Sequence, residues 1–349
     1  MKKTKHTKRP NEQELISAIT RIVANRTQRA ENVVVGIGDD AAVVRCKKDQ
    51  HLILTTDIQV ENIHFRRDWF TGGELGWRLA AVNLSDIAAM GGRPLYALLS
   101  LACPNDVEAA YIKAVEKGVA MHLRKYGAEI IGGNISASGK HLVCDLTLIG
   151  DSPSKNVWQR RCRPGRDAIL LVGAIGSARA GLAHIEKPGS KHSYRPLVRA
   201  YKKPRPLLEV ADLLRGDTAV HGAIDVSDGF STDLIRICDN AGAGCEVDEA
   251  ALTIERSLIR FCQERAEDPV RWALQGGEDY ALILSVAAGR AQALAAHVRE
   301  RLGLAASVAG RFTARKGRYE LLDAAGKRKK FTATGWDHLA RPVPLKEHP

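Results

Sequence analysis

The stretch Gly36-Ile37-Gly38-Asp39-Asp40-Ala41-Ala42-Val43-Val44 sets two carboxylates side by side between apolar runs. Like charges in a tight turn repel, so the pair implies a positive group shared with some third partner. Other acids stand in comparable settings. Asp57 ends the strand-like run Leu52-Ile53-Leu54-Thr55-Thr56-Asp57, with two hydroxyls beside it. Asp225 and Asp228 close His221-Gly222-Ala223-Ile224-Asp225-Val226-Ser227-Asp228, and Gly229 opens the next helix. Asp228 reads equally well as a helix N-cap, a common post for aspartate, but that leaves Asp225 unexplained. Carboxylates at strand ends among the hydroxyls of Thr55, Thr56 and Ser227 suit a hard divalent cation bound through oxygen. Magnesium is the expected species, since it keeps waters and bridges to substrate phosphates.

Asp86 is the most informative of these acids. Apolar residues recur at Leu75, Leu79, Val82 and Met90 in steps of three and four, and Asp86 falls on the same stripe. The sequence therefore points a carboxylate at the core, in the last turn of a helix, where the macrodipole disfavours negative charge. Burial and dipole both demand a compensating cation, either a metal ion or a lysine or arginine.

The elements that position these residues are readable as alternating short strands and helices, which argues for an α/β or α+β fold. Strands are predicted at 33–35 and 51–57, and a helix over 73–90 stopped by Gly91, Gly92 and Pro94. A long helix is predicted over 105–126, with Asn105 and Glu108 spaced as a capping box and Gly127 as its stop. Strands at 96–102, 128–131 and 141–150 complete the first half, and 151–167 reads as the join between domains. The second half opens with a strand at 168–172 and a glycine turn into a helix. That turn lacks both the G-x-G-x-x-G spacing and a Walker lysine, so it reads as structural. Residues 186–206 read as a basic, proline-rich connection. Strands are then predicted at 220–226, 279–286 and 305–311, between helices at 229–241, 254–265 and 288–302, with a hairpin over 319–331.

At 349 residues, with 45% hydrophobic and 26% charged content, the chain has room for two globular domains. Aromatics make up only 5%, too few for the stacking platforms of single-strand nucleic-acid binders. The net charge of +12 is gathered in short runs at 1–10, 202–206 and 326–330, so nucleic acid is not an expected partner and polyphosphates are. Seven cysteines form no C-x-x-C pair and mostly sit in apolar runs, which points to a reducing compartment and a cytoplasmic location. The histidines form no zinc-binding pattern, no apolar run reaches membrane-spanning length, and the basic start lacks a signal-peptide core.

The motifs GIGDDAA, TTD with His64-Phe65 downstream, AVNLSDIAAMGG, IIGGN, AIDVSDG, GGEDY and GWDH resemble, in order and spacing, the thiamine-monophosphate kinase family. That family belongs to the superfamily of aminoimidazole ribonucleotide synthetase, whose members bind ATP without a P-loop. The resemblance spans about residues 31–340. It implies a two-domain fold in which the N-terminal sheets of two copies close into a dimer barrel and the C-terminal domain is an α/β sandwich. On that pattern residues 1–30 are a basic tail and first helix. An ATP- and metal-binding dimerisation domain covers 31–151 and an α/β domain 165–315, and residues 316–349 form a hairpin and a substrate-contacting tail. The resemblance further implies that Asp39, Thr55, Thr56, Asp57, Asp86, Asn134, Asp225 and Asp228 hold several magnesium ions. Gly133, Asn134, Arg160 and Ser227 would contact ATP, and His64, Glu278 and Trp336 would contact thiamine monophosphate. The implied reaction moves the γ-phosphoryl of ATP onto the phosphate of thiamine monophosphate, with no covalent or general-base residue.

Two positions depart from the family pattern. Gly132-Gly133-Asn134 stands where GGD is usual, which removes one charged ligand. Gln159 stands where an arginine is usual, with Arg160 and Arg161 next to it. A synthetase of the same superfamily, or a non-catalytic nucleotide- or RNA-binding relative, are the other readings these departures leave open. GGEDY and GWDH count against the former and the scattered basic runs against the latter.

Overall fold

In this computed structural model residues 33–35, 39–47, 50–153, 157–187 and 194–335 are described. The basic tail, the predicted first helix, the Gly36-Ile37-Gly38 turn and Trp336 with the residues after it lie outside that set.

The first sheet uses β1 (Val33–Val35), β2 (Ala42–Lys47), β3 (Gln50–Val60), β4 (Arg93–Cys103), β5 (Glu129–Ala137) and β6 (Val143–Pro153). Its order is β1-β2-β3-β6-β4-β5, antiparallel except for the parallel pair β4 and β5. Parallel neighbours need a crossover, and helix α2 (Ala109–Arg124) supplies it. Helix α1 (Gly72–Ala89) starts at a capping box between Thr71 and Glu74 and packs on α2. Glycine permits the close approach: a Cβ on Gly76 would meet Val115 O at 2.0 Å. Side chains alternate across β3, so Ile53, Thr55 and Gln59 are buried under the helices while Thr56 and Ile58 face outward. The outer face is open, with Ile58, Tyr96 and Leu98 exposed, and the edge strand β5 leaves Ile131 and Ile135 exposed as well.

The second sheet holds β7 (Asp167–Val172), β8 (Val220–Asp225), β9 (Gly244–Asp248), β10 (Leu282–Ala287), β11 (Ala306–Thr313), β12 (Tyr319–Leu322) and β13 (Arg328–Lys330). Its order is β13-β12-β9-β11-β7-β10-β8. Around it run α3 (Ser177–Glu186), α4 (Arg195–Lys202), α5 (Leu208–Leu214), α6 (Phe230–Ala241), α7 (Arg256–Gln263), α8 (Pro269–Gln275) and α9 (Ala291–Leu302). One apolar cluster joins Leu79, Leu84 and Leu148 of the first domain to Leu170, Leu208 and Leu284 of the second. The domains therefore share a core, and α1 runs through it. Among the described residues no helix is long and apolar enough to cross a membrane.

Three local expectations fail for identifiable reasons. Helix α2 starts at Ala109, not 105, because a turn from Pro104 O to Val107 N (3.2 Å) takes up Asn105; Glu108 makes no side-chain cap. The connection at 186–206 contains α4, in which buried Leu197 and Tyr201, with buried Tyr194 at the N-cap, keep helical spacing among basic neighbours. The strand expected from 279 begins at Leu282, since Glu278 (φ 68°) and Tyr280 (φ 52°) adopt left-handed backbone that no strand accepts.

Candidate functional site

The last turn of α1 meets the end of β8 at the domain junction. Ser85 Oγ donates to Asp225 Oδ2 at 2.7 Å, and the next residue, Asp86, joins Asp225 and Asp40. One carboxylate oxygen from each of Asp40, Asp86 and Asp225 lies within 4.8 Å of the others. Thr55 Oγ1 donates to Asp86 Oδ2 at 2.5 Å, which anchors the helix carboxylate to β3.

Three acids so close cannot all ionise cheaply. Burial pushes the Asp86 carboxyl well above its usual range, and the charges of Asp57, Asp225 and Asp40 push it further. Asp225 is raised by burial and then by Asp40. Asp39, beside them, is lifted to about 6 by burial and then by Asp40. Arg160 supplies the nearest cation: its Nη2 meets Asp40 Oδ1 at 2.8 Å, and its backbone N–H donates to both Asp39 oxygens at 3.2 Å. Burial disfavours the Arg160 charge, but Asp40, Asp39 and Asp225 outweigh it and hold the guanidinium protonated. One arginine for this many acids leaves excess negative charge. Asp40 Oδ2 is buried with no hydrogen-bond partner. An all-oxygen donor set, an orphaned carboxylate oxygen and unbalanced charge fit a hard divalent cation such as magnesium.

The remaining sequence-derived residues divide between several places. Asp57 lies on the Asp86 side, where its charge bears directly on Asp86. Asp228 is not the N-cap of α6; Gly229 is, and Asp228 pairs with Arg236 at 2.5 Å. Arg236 also meets Asp233, which accepts the N–H groups of Asp228 and Gly229 at 3.0 Å each. Ser227 accepts, at its carbonyl, the N–H of Glu278 at 2.7 Å. Strand alternation sends Thr56 to the outer face, where it donates to Asp145 Oδ2 at 3.2 Å. Asn134 is on that face too: it pairs in register with Ser100, and Ser100 with Asp145. Gly133 packs so tightly on β4 that a Cβ would lie 1.9 Å from Leu99 O. Of the two arginines beside Gln159, Arg160 turns to the acids, while Arg161 Nε donates to His221 O at 2.9 Å.

On the second domain's side, Glu278 pairs with the buried Arg78 of α1. His64 Nδ1 accepts the N–H of Val60 at 2.9 Å, so the neutral ring carries its proton on Nε2. Asp279 Oδ1 and Oδ2 accept the N–H groups of Ala178 (2.9 Å) and Gly176 (2.5 Å) at the start of α3. The glycine turn before α3 is thus already capped by the chain's own carboxylate, in accord with its reading as structural.

The sequence reading passed over Ser85, Asp145 and Arg78, and saw Asp40 only as half of the paired carboxylates at Asp39-Asp40. Arg78 had a visible signal, because it lies on the same buried stripe as Leu75 and Leu79 and has no exposed surface.

Comparison with known proteins agrees with the two-domain fold. The family models for AIR synthase related protein match residues 38–151 with the N-terminal domain and 164–321 with the C-terminal domain. The thiamine-monophosphate kinase of Bacillus subtilis (strain 168) is 33% identical over 277 residues, covering 78% of this chain and 82% of the relative. That of Aquifex aeolicus (strain VF5) is 33% identical over 252 residues, covering 71% of this chain and 80% of the relative. The solved structure of AaThiL complexed with AMPPCP and TMP superposes with a TM-score of 0.79 at 27% identity, over 95% of this chain and 99% of that one. The chain belongs to the thiamine-monophosphate kinase family, with the two-domain architecture of the AIR synthase related proteins.

Proposed function

We propose that this chain transfers the γ-phosphoryl group of ATP to the phosphate of thiamine monophosphate, giving thiamine diphosphate and ADP. The observation that carries the reading is the junction of Asp40, Asp86 and Asp225 with Arg160, in a chain whose relatives carry that activity in their name. A relative of the same fold is complexed with AMPPCP, an ATP analogue, and TMP, which we read as thiamine monophosphate.

Asp40, Asp86 and Asp225 would hold magnesium, with Asp39, Asp57, Asp228 and Thr55 around them. Thr56 and Asn134, with Asp145 between them in the sheet, would form a second group of ligands on the outer face. Magnesium would supply charge neutralisation for a phosphoryl group passing between two polyanionic reactants. Arg160, Gly133 and Ser227 would orient the ATP phosphates. His64 would offer its Nε2–H, and Glu278 its carboxylate, to the acceptor, with Trp336 beyond the described residues as a further contact. Because the accepting phosphate oxygen is already ionised, no general base is required, and positioning supplies most of the rate.

The open face of the first sheet and its exposed edge strand β5 support a homodimer joined there, which would bury Ile131 and Ile135. A cytoplasmic location fits the free cysteines Cys144, Cys238, Cys245 and Cys262, all buried. The direct test is incubation of the purified protein with thiamine monophosphate, ATP and magnesium, with thiamine diphosphate quantified by chromatography. Stoichiometric formation of thiamine diphosphate and ADP is the expected result. Bound ATP with no thiamine diphosphate formed refutes the reading.

A further inference from the structure

Arg78 is an uncommon residue to find with no exposed surface, since arginine cannot shed its charge when buried. Its guanidinium reaches in three directions. Nε donates to Gln59 Oε1 at 3.1 Å, Nη1 to the Tyr201 carbonyl at 2.5 Å, and Nη2 to Glu278 Oε1. The guanidinium also stacks 4.7 Å from the centroid of the Tyr201 ring. Burial works against the charge, and Glu278 is the chief partner that restores it.

Tyr201 carries the connection onward. Its hydroxyl donates to the His64 carbonyl at 3.0 Å, and its ring packs edge-on against Phe70 at 5.5 Å. Glu278, Arg78, Tyr201 and His64 are therefore one continuous chain of contacts that crosses the domain boundary. Arg78 and His64 come from the first domain, and Tyr201 and Glu278 from the second. Glu278 needs such a restraint, because its left-handed backbone (φ 68°) is strained for a residue with a Cβ. Arg78 engages Oε1 only, and the Glu278 side chain keeps 30% of its surface exposed, enough to meet a cationic ligand.

We propose that Arg78 is the positioning residue of the acceptor site. It holds the Glu278 carboxylate in place and, through Tyr201, fixes the distance between Glu278 and His64. The inference rests on the kinase reading, which fails separately if the wild-type protein forms no thiamine diphosphate.

The test is steady-state kinetics, with calorimetry of thiamine monophosphate binding, on Arg78→Met, Arg78→Lys, Glu278→Gln, Tyr201→Phe and the Arg78→Met/Glu278→Gln pair. Loss of a charge-assisted contact should raise KM for thiamine monophosphate by about tenfold or more in Arg78→Met, with KM for ATP within about twofold. Arg78→Lys should recover part of the loss, and the double variant should be no worse than Glu278→Gln alone. An unchanged KM for thiamine monophosphate, a parallel rise in both KM values, or multiplicative effects in the double variant would overturn the proposal. Should Arg78→Met fail to fold, Tyr201→Phe decides, because it deletes one hydroxyl and keeps the ring under the guanidinium. A rise of about threefold in KM for thiamine monophosphate alone supports the proposal, and no change overturns it.

Discussion

Ser85 and Asp225 are 140 positions apart, yet Ser85 Oγ donates to Asp225 Oδ2 at 2.7 Å, with both residues buried. The bond joins the helix of one domain to the strand of the other inside the acidic cluster, so domain docking and site assembly are one event. Ser85→Ala removes a neutral donor from a buried carboxylate and should cost about 1.5–3 kcal/mol of stability. Urea unfolding measures it, and an unchanged midpoint would show that the bond contributes nothing.

Asp86→Asn separates strain from function. Without magnesium the variant should melt higher than the wild type, because it relieves repulsion among Asp40, Asp57, Asp86 and Asp225. Added magnesium should then stabilise the wild type and leave the variant nearly unmoved, and most turnover should be lost. Asp57→Asn should also lose most turnover with the fold intact. Near wild-type turnover of either variant at low magnesium would contradict the assignment of these acids to a metal.

Asn134→Asp restores a charged oxygen on the outer face, in the row that contains Ser100 and Asp145. Affinity for hard cations follows the number of charged ligands, so the magnesium concentration for half-maximal activity should fall roughly five- to thirtyfold. Loss of activity instead would mean that the row is organised around asparagine, with Asp145 already providing the charge.

The dimer is tested on the same sheet. Ile131→Lys with Ile135→Lys puts two charges on an exposed apolar edge and should convert a dimer to a monomer, read by light scattering. A mass that remains unchanged, whether one copy or two, would remove this edge from the interface.

His122 gives a pH prediction away from the site. It is buried against Trp77 with ring centroids 3.7 Å apart, and burial lowers its pKa to about 4 from an ordinary 6.5. The unfolded chain binds the proton first as pH falls, so the folded state loses stability between pH 6.5 and about 4 and keeps it in full above. His122→Phe keeps the stack without the titration. Its stability should fall less over that window, by up to about 3 kcal/mol, in urea titrations at each pH. Parallel curves would refute the assignment.

Much of the architecture was legible because it is local. The span of α1 followed from an apolar stripe and a glycine stop, and the same stripe singled out Asp86, which the structure leaves half-buried against Thr55, Asp40 and Asp225. The hairpin of β12 and β13 followed from turn residues between short strands. The start of α2 and the hidden α4 were misread, because a proline turn and a crowd of basic residues obscured the pattern that packing selects.

The sequence by itself determined the family motifs, the strand and helix alternation, and the supply of carboxylates for hard cations. Only the tertiary structure decided that Asp40 enters the cluster while Asp39 holds the Arg160 backbone, and that Arg160 turns to the acids while Arg161 turns to the His221 carbonyl. It also decided that Thr55 and Thr56 serve opposite faces of one sheet. The reason is range. Helical and strand periodicities are fixed within a few residues. The contacts that build the site join positions 31, 120, 140 and 200 apart, and those distances close only when two domains bury a common core.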